Sequence, residues 1–386
     1  MTPAARVAAA IEILDDILAG LVPEKALTGW GRSHRFAGSK DRAAIRDHVF
    51  GALRCRASYA WLGGAETGRG IMLGAMRSAG LVDEVFTAEG HAPEVVGADE
   101  VAGDLADAPR AVRLDLPEWL LPLFDEVLKA EADPILELLQ SRAGVFLRVN
   151  VAKGDGAAAM ALLAEDGIVC EPVINISNAL QVIENERRVA LSQAYEDGLV
   201  ELQDTSSQVA ISDLEITKGL RVLDYCAGGG GKALAMAALG AEVSAYDIDQ
   251  ARMQDITPRA QRAGVTIEVL SLEDLENAEP FDLVLCDAPC SGSGTWRRTP
   301  AAKWDLTAER LAELNDMQDD VLRSAAPLVA QGGSLAYATC SIFECENSER
   351  INGFLTASPE FSALSSRLIT PHAKGDGFFL ARLQRN

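Results

Sequence analysis

The chain has 386 residues, enough for two or three domains with separate cores, and no apolar run in it is long and clean enough to span a bilayer. A formal net charge of −22 argues against a broad nucleic-acid-binding surface. Seven cysteines, an odd number without a CxxC pair, argue against a disulfide framework or a structural zinc site, so no metal is expected.

Met1-Thr2-Pro3-Ala4-Ala5-Arg6 leads into a pattern broken by Glu12, Asp15 and Asp16, which reads as a helix and not a secretion signal. With reduced thiols, this predicts a cytoplasmic protein. Val7, Ile11, Leu14 and Leu18 recur at helical spacing, as do Ile45, Val49 and Leu53. Between Gly31 and Arg56 the chain carries Arg32, Arg35, Lys40, Arg42, Arg46, Arg54 and Arg56 against Asp41 and Asp47. Such a stretch is either a solvated helix face or a local RNA-binding patch in an otherwise acidic protein. From Gly90 to Arg110 the composition turns to Ala, Gly, Pro, Glu and Asp, a loop or linker. Helices resume at Pro117 and Asp133-Pro134, each with a proline suited to a first turn. Strand-like Val145–Asn150, a helix over Ala157–Glu165 and a strand over Ala179–Ile183 suggest a small α+β module.

After Gly219, strands alternate with helices. The predicted strands are Arg221–Tyr225, Val243–Asp247, Thr266–Leu270, Phe281–Cys286 and Ser334–Tyr337; helices are predicted at 232–239, 249–263 and 307–329. This alternation implies a mostly parallel sheet with ligands at the carboxyl ends of its strands. Cys226-Ala227-Gly228-Gly229-Gly230-Gly231-Lys232 links the first strand to a helix and suits a nucleotide-like cofactor, although a tight structural turn would read the same way. It is not a P-loop, because Ala233 replaces the magnesium-binding hydroxyl. Asp247 ends the next strand, where an acid can accept hydrogen bonds from ribose hydroxyls, and Asp249 reads as a helix cap. Cys290 and Cys340 lie among polar residues at strand ends, where a thiolate can form; Cys55, Cys170, Cys226 and Cys286 read as small buried hydrophobes.

Asp287-Ala288-Pro289-Cys290-Ser291-Gly292-Ser293-Gly294, followed by Arg297-Arg298-Thr299-Pro300 and Lys303-Trp304, resembles motif IV of the Nol1/Nop2/Sun family of RNA 5-methylcytosine methyltransferases. Tyr337-Ala338-Thr339-Cys340-Ser341 with Glu346-Asn347 resembles its motif VI, and Asp376-Gly377-Phe378-Phe379 its last strand. Lys40–Arg54 resembles a NusB-like helical RNA-binding domain, and Arg148-Val149-Asn150 the module before the catalytic domain, an order similar to the bacterial RsmB type. The resemblance implies a multidomain chain: an all-α NusB-like domain over 1–135, a small α+β (RRM-like) module over 140–204, and an α/β Rossmann-like class I methyltransferase domain over 205–386. It also implies S-adenosylmethionine as cofactor, held by residues 226–232, Asp247, Ser271 and Asp287. Cys340 would be the nucleophile, with Cys290 and Asp287 assisting. Arg42, Arg46, Arg297, Arg298 and Lys303 would meet RNA, 16S ribosomal RNA being the expected substrate of a monomeric enzyme. A transfer RNA methyltransferase, or a non-catalytic assembly factor with a degenerate cofactor site, are the competing readings. Two departures bear on this. Gly228 and Gly229 stand where the family's CAAPGGK loop has Ala and Pro, and Ser271 stands where an acid is usual, with Glu273 or Asp274 as substitutes.

Overall fold

The computed structural model describes residues Met1–Asn386. The chain divides into two compact units, Met1–Arg142 with Trp296–Asp305, and Ala143–Thr295 with Leu306–Asn386. No helix is long and apolar enough to cross a membrane.

The first unit is helical. Helices Pro3–Leu18, Pro23–Ser33, Ser39–Arg54, Arg56–Gly63 and Gly68–Ala79 are followed by short helical turns as far as Leu139, so the unit runs beyond residue 135. Thr2 caps the first helix by accepting from the Ala5 N–H, with Pro3 in the first turn. The apolar stripe Val7, Ile13 and Leu14 packs with Ile45, Val49, Leu53, Ile71 and Leu73. Helices Arg56–Gly63 and Gly68–Ala79 approach so closely that a Cβ on Gly74 would lie 1.8 Å from the Tyr59 carbonyl oxygen.

Trp296–Asp305 belongs to this unit because it completes it. The last carbonyls of helix Ser39–Arg54 have no partner within the helix. Trp304 Nε1 donates to the Leu53 carbonyl at 2.7 Å and Lys303 Nζ to the Arg54 carbonyl at 2.8 Å. Arg54 Nε donates to the Arg297 carbonyl at 2.7 Å, and Trp296 packs on Phe124 with ring centroids 5.7 Å apart.

The second unit contains two sheets. Strands β1 (Val145–Val149), β2 (Val169–Pro172), β3 (Ala179–Glu184) and β4 (Val200–Leu202) form an antiparallel sheet in the order β2-β3-β1-β4. Strands β5 (Arg221–Asp224), β6 (Glu242–Ala245), β7 (Ile267–Val269), β8 (Phe281–Asp287), β9 (Val329–Thr339), β10 (Phe361–Ile369) and β11 (Phe378–Arg385) form the second in the order β10-β11-β9-β8-β5-β6-β7. β5 to β9 run parallel; β11 is antiparallel to β9 and to β10. The small sheet is tied to the large one by Asn150, which donates to the Gly198 and Ala263 carbonyls, and by Glu201, which accepts from Arg259 and Arg262.

The chain leaves β5 toward β6 and β7, then returns to β8 on the other side. The switch point therefore lies between β5 and β8, where open α/β sheets bind ligands. The structure differs from the sequence reading in several places, the unpredicted strands β2 and β4 among them. The helix predicted at 249–263 is a 3₁₀ turn, Gln250–Met253, and then a helix, Ile256–Ala263, because Pro258 fits only a first turn. β10 was not predicted: its residues are mostly exposed, and three of them are serine.

Candidate functional site

The loop after β5 is shaped by Gly228 (φ +50°) and Gly230 (φ +78°), both left-handed. A Cβ on Gly230 would lie 2.8 Å from Ile256 Cγ1. The loop is held from outside. Asp247 is buried; its Oδ2 accepts from the Gly228 N–H at 2.9 Å, its Oδ1 from the Asp249 N–H at 3.0 Å, and Arg252 lies 3.1 Å from Oδ2. Arg259 donates to the Gly229 carbonyl. Two arginines thus brace the turn at the positions where a more rigid Ala-Pro pair is usual. Asp249 caps the following turn by accepting from the Ala251 N–H.

Behind the loop lies a carboxyl that sequence reasoning missed. Asp224, at the end of β5, is fully buried, and neither oxygen accepts a completed hydrogen bond, although the Ala233 amide approaches. Burial pushes its pKa up to about 7. Its signal was available, since it is an acid at a strand end directly before a glycine loop. Lys232 Nζ donates to Asp287 Oδ2 at 2.5 Å; burial opposes the ammonium, but the Asp287 carboxylate prevails and raises its pKa. Free N–H groups at the start of helix Gly231–Ala238, an unsatisfied buried carboxyl and Asp247 make a set that fits a cofactor with ammonium, carboxylate and ribose groups.

β8 and β9 are neighbours, with Asp287 opposite Ala338, so the loops leaving them bring Cys290 and Cys340 together. Their sulfurs are 3.4 Å apart. Of the seven cysteines, Cys340 alone has a lowered pKa; Cys55, Cys170, Cys226, Cys286, Cys290 and Cys345 are all raised. The largest cause is the Cys290 S–H donating to the Cys340 sulfur; the Lys232 charge and the Thr295 hydroxyl add to it, against burial and Asp287. Of the pair, Cys340 is the sulfur whose thiolate form its neighbours favour, and Cys290 the one whose thiol form they favour.

Other side chains fix these loops. Glu346 is buried and accepts from the Ser291 N–H at 2.7 Å, from the Ser291 hydroxyl and from Gln318 Nε2 at 3.1 Å. Gln318 also donates to the Pro289 carbonyl at 2.9 Å. Asn347 Oδ1 accepts from the Thr339 hydroxyl at 2.6 Å, and Asn347 Nδ2 donates to the Ser341 carbonyl at 3.0 Å. The residues flanking Cys290 and Cys340 are thus anchored to the short segment Glu346-Asn347.

Two expectations need correction. Lys303 is buried, and its ammonium caps a helix C-terminus; burial lowers its pKa to about 8 despite the opposing pull of Asp115, so it cannot serve as a phosphate contact. Arg297 is 1% exposed and equally inaccessible. Ser271, expected at the cofactor, is the N-cap of helix Leu272–Glu276, with Asp274 closing a capping box through its bonds to the Ser271 hydroxyl and N–H. Arg42 and Arg46 remain exposed, Arg46 over the Phe50 ring, and Arg298 is half-buried.

Residues 211–384 match the model of the family described as 16S rRNA methyltransferase RsmB/F, and residues 116–189 match its ferredoxin-like domain, which begins earlier than the expected 140. The ribosomal RNA small subunit methyltransferase B of Vibrio cholerae is 34% identical over 289 residues, covering 71% of this chain and 66% of that protein. The chain thus spans just under two thirds of that relative's length. The crystal structure of PH0851 superposes with a TM-score of 0.78 at 23% identity, covering 99% of each chain. NSun6 from Pyrococcus horikoshii with SFG gives 0.62 at 17% identity, covering 70% of this chain and 98% of that one. These two share the fold. Taken with the sequence matches, they accompany one conclusion: the chain belongs to the RsmB/F methyltransferase family.

Proposed function

We propose that this protein is a cytoplasmic, S-adenosylmethionine-dependent cytosine-5 methyltransferase of small-subunit ribosomal RNA. The observation that carries this reading is the pair of sulfurs 3.4 Å apart, one thiolate-forming and one not, beside a glycine loop. A non-catalytic assembly factor would have no need of that polarised pair.

Carbon 5 of cytosine is a poor nucleophile. Addition of the Cys340 sulfur to carbon 6 pushes electron density to carbon 5 and leaves a covalent bond between protein and base. Asp287 supports protonation of the base's ring nitrogen. S-adenosylmethionine supplies an electrophilic methyl group when bound. Residues 226–232, Asp247 and Asp287 would hold it, and Asp224 would join them as the partner for its ammonium group. Asp247 would accept from the ribose with lone pairs that the Gly228 and Asp249 N–H groups and Arg252 leave free. Cys290 assists removal of the carbon 5 proton, after which the bond from Cys340 to carbon 6 breaks. The target base has to leave its stack to reach these groups. Arg42, Arg46 and Arg298 are the RNA contacts retained, and the helical unit is read as NusB-like.

Incubating the protein with labelled S-adenosylmethionine and small-subunit ribosomal RNA, then mapping the label, tests the reading. Label on carbon 5 of a cytosine is the expected result. Label on transfer RNA only, or none, overturns it.

A further inference from the structure

The helical unit carries a hollow of about 610 Å³ that the catalytic reading does not use, lined by Ala8, Ala9, Trp30, His34, Phe36 and His91 among others. Its wall is aromatic and pre-ordered. The Trp30 and His34 rings stack with centroids 4.2 Å apart and planes 11° apart, and Phe36 meets His34 edge-on at 5.8 Å. Trp30 is fixed by its indole N–H donating to Glu12 Oε2 at 3.1 Å, and His34 by the contact of its Nδ1 with the Trp30 carbonyl at 3.0 Å. Phe36 is 73% exposed. An ordered aromatic stack with an exposed ring offers a flat partner a platform to stack on.

Charge narrows the partner. Arg32, Arg35 and Lys40 surround His34 and Phe36 in the chain, and all three are exposed without an ion pair or hydrogen bond. The hollow itself is lined by the acids Glu12 and Glu89. These acids disfavour a phosphate in the interior, whereas a flat base with amino groups suits an aromatic wall beside carboxylates. Cations next to the stack suit the phosphates that such a base carries with it.

We propose that this hollow takes an unpaired nucleobase of single-stranded RNA, with Phe36 and His34 as its stacking surface and Arg32, Arg35 and Lys40 on the adjoining phosphates. The inference rests on the RNA reading above but concerns a site apart from Cys340.

The test uses the full chain and a fluorescent single-stranded oligonucleotide of about 12 nucleotides, compared with the same sequence as a duplex. Phe36→Ala should weaken single-strand binding roughly tenfold, leave duplex binding unchanged, and be rescued by Phe36→Trp. Arg35→Gln should flatten the salt dependence without abolishing binding. Single-strand affinity unchanged in Phe36→Ala overturns the proposal. So does an equal loss on the duplex, or a sedimentation shift showing that Phe36 mediates contact between two copies. Label incorporation from S-adenosylmethionine is measured on the same samples. Wild-type incorporation with no Phe36 effect sinks this inference alone. A Phe36 effect without wild-type incorporation sinks the methyltransferase reading alone.

Discussion

Lys232 at the end of the glycine loop and Asp287 at the end of β8 form an ion pair of 2.5 Å, so one contact joins the loop expected to hold cofactor to the loop that carries Cys290. Lys232 also favours the thiolate of Cys340 through its charge, whereas Asp287 opposes it. Lys232→Met is predicted to do two things. Cofactor affinity measured by calorimetry should fall, and Cys340 should need a higher pH for alkylation. Loss of one effect without the other would mean that the ion pair does not link the two loops.

The two cysteines proposed as catalytic should fail differently. Cys340→Ser should give neither methylated RNA nor a covalent adduct. Cys290→Ser should accumulate protein joined to RNA through Cys340, visible as a band that survives a denaturing gel. Adduct in Cys340→Ser instead would place the nucleophile on the wrong strand.

A pH profile separates the thiolate from its hydrogen-bond donor. The pKa of Cys340 lies below that of an ordinary thiol, chiefly because the Cys290 S–H donates to it. Alkylation of Cys340 should therefore lose rate as pH falls through that lowered pKa and stay level above it. In Cys290→Ala the donor is gone, so the whole profile should move to higher pH. Mass-spectrometric rates for the Cys340 peptide check this; an unmoved profile would show that the 3.4 Å contact has no electrostatic effect.

Much of this arrangement could be read from the chain, and its failures have identifiable causes. Glycines 228–231, Asp247, Cys290 and Cys340 all fall at carboxyl ends of strands, as their position after apolar runs implied. That Cys290 and Cys340 touch could not be read, because their contact depends on β8 and β9 being neighbours, and strand order is not written in local pattern. Lys303 and Arg297 were misread because sequence shows a charge but not its burial. β10 escaped because an exposed, serine-rich edge strand lacks an apolar face to alternate with. Glu346 was visible as part of a motif, but its grip on Ser291 appears only in three dimensions.

That grip yields a further prediction. Glu346→Ala removes the acceptor for the Ser291 N–H and hydroxyl, so Cys290 should lose its fixed position while the cofactor loop is untouched. Turnover should fall by up to about 100-fold, with cofactor affinity unchanged. Glu346→Gln, which keeps one acceptor, should lie between. A fall in cofactor affinity equal to the fall in turnover would refute a role confined to positioning.

Lys303 offers the complementary case of a residue with charge but no RNA. Lys303→Ala leaves the Arg54 carbonyl without its donor and should lower stability by roughly 1–3 kcal/mol. RNA affinity of the folded fraction should keep its salt dependence. A flatter salt dependence, as from a lost phosphate contact, would reinstate the sequence-based assignment.

The membership of Trp296–Asp305 in the helical unit also sets the order in which that unit can be finished during synthesis. Until Lys303 and Trp304 have left the ribosome, the end of helix Ser39–Arg54 lacks its donors and Phe124 lacks Trp296. At ordinary elongation rates that delay is on the order of ten seconds. The helices before Arg142 therefore wait, incomplete, while the strands that lead to Asp247 and Cys290 are being made. A protein begun after Arg142 would emerge with Trp296 lacking the core it packs against. The helical unit is joined to the second unit by its folding sequence as well as by the three peptide bonds at which the chain passes between them.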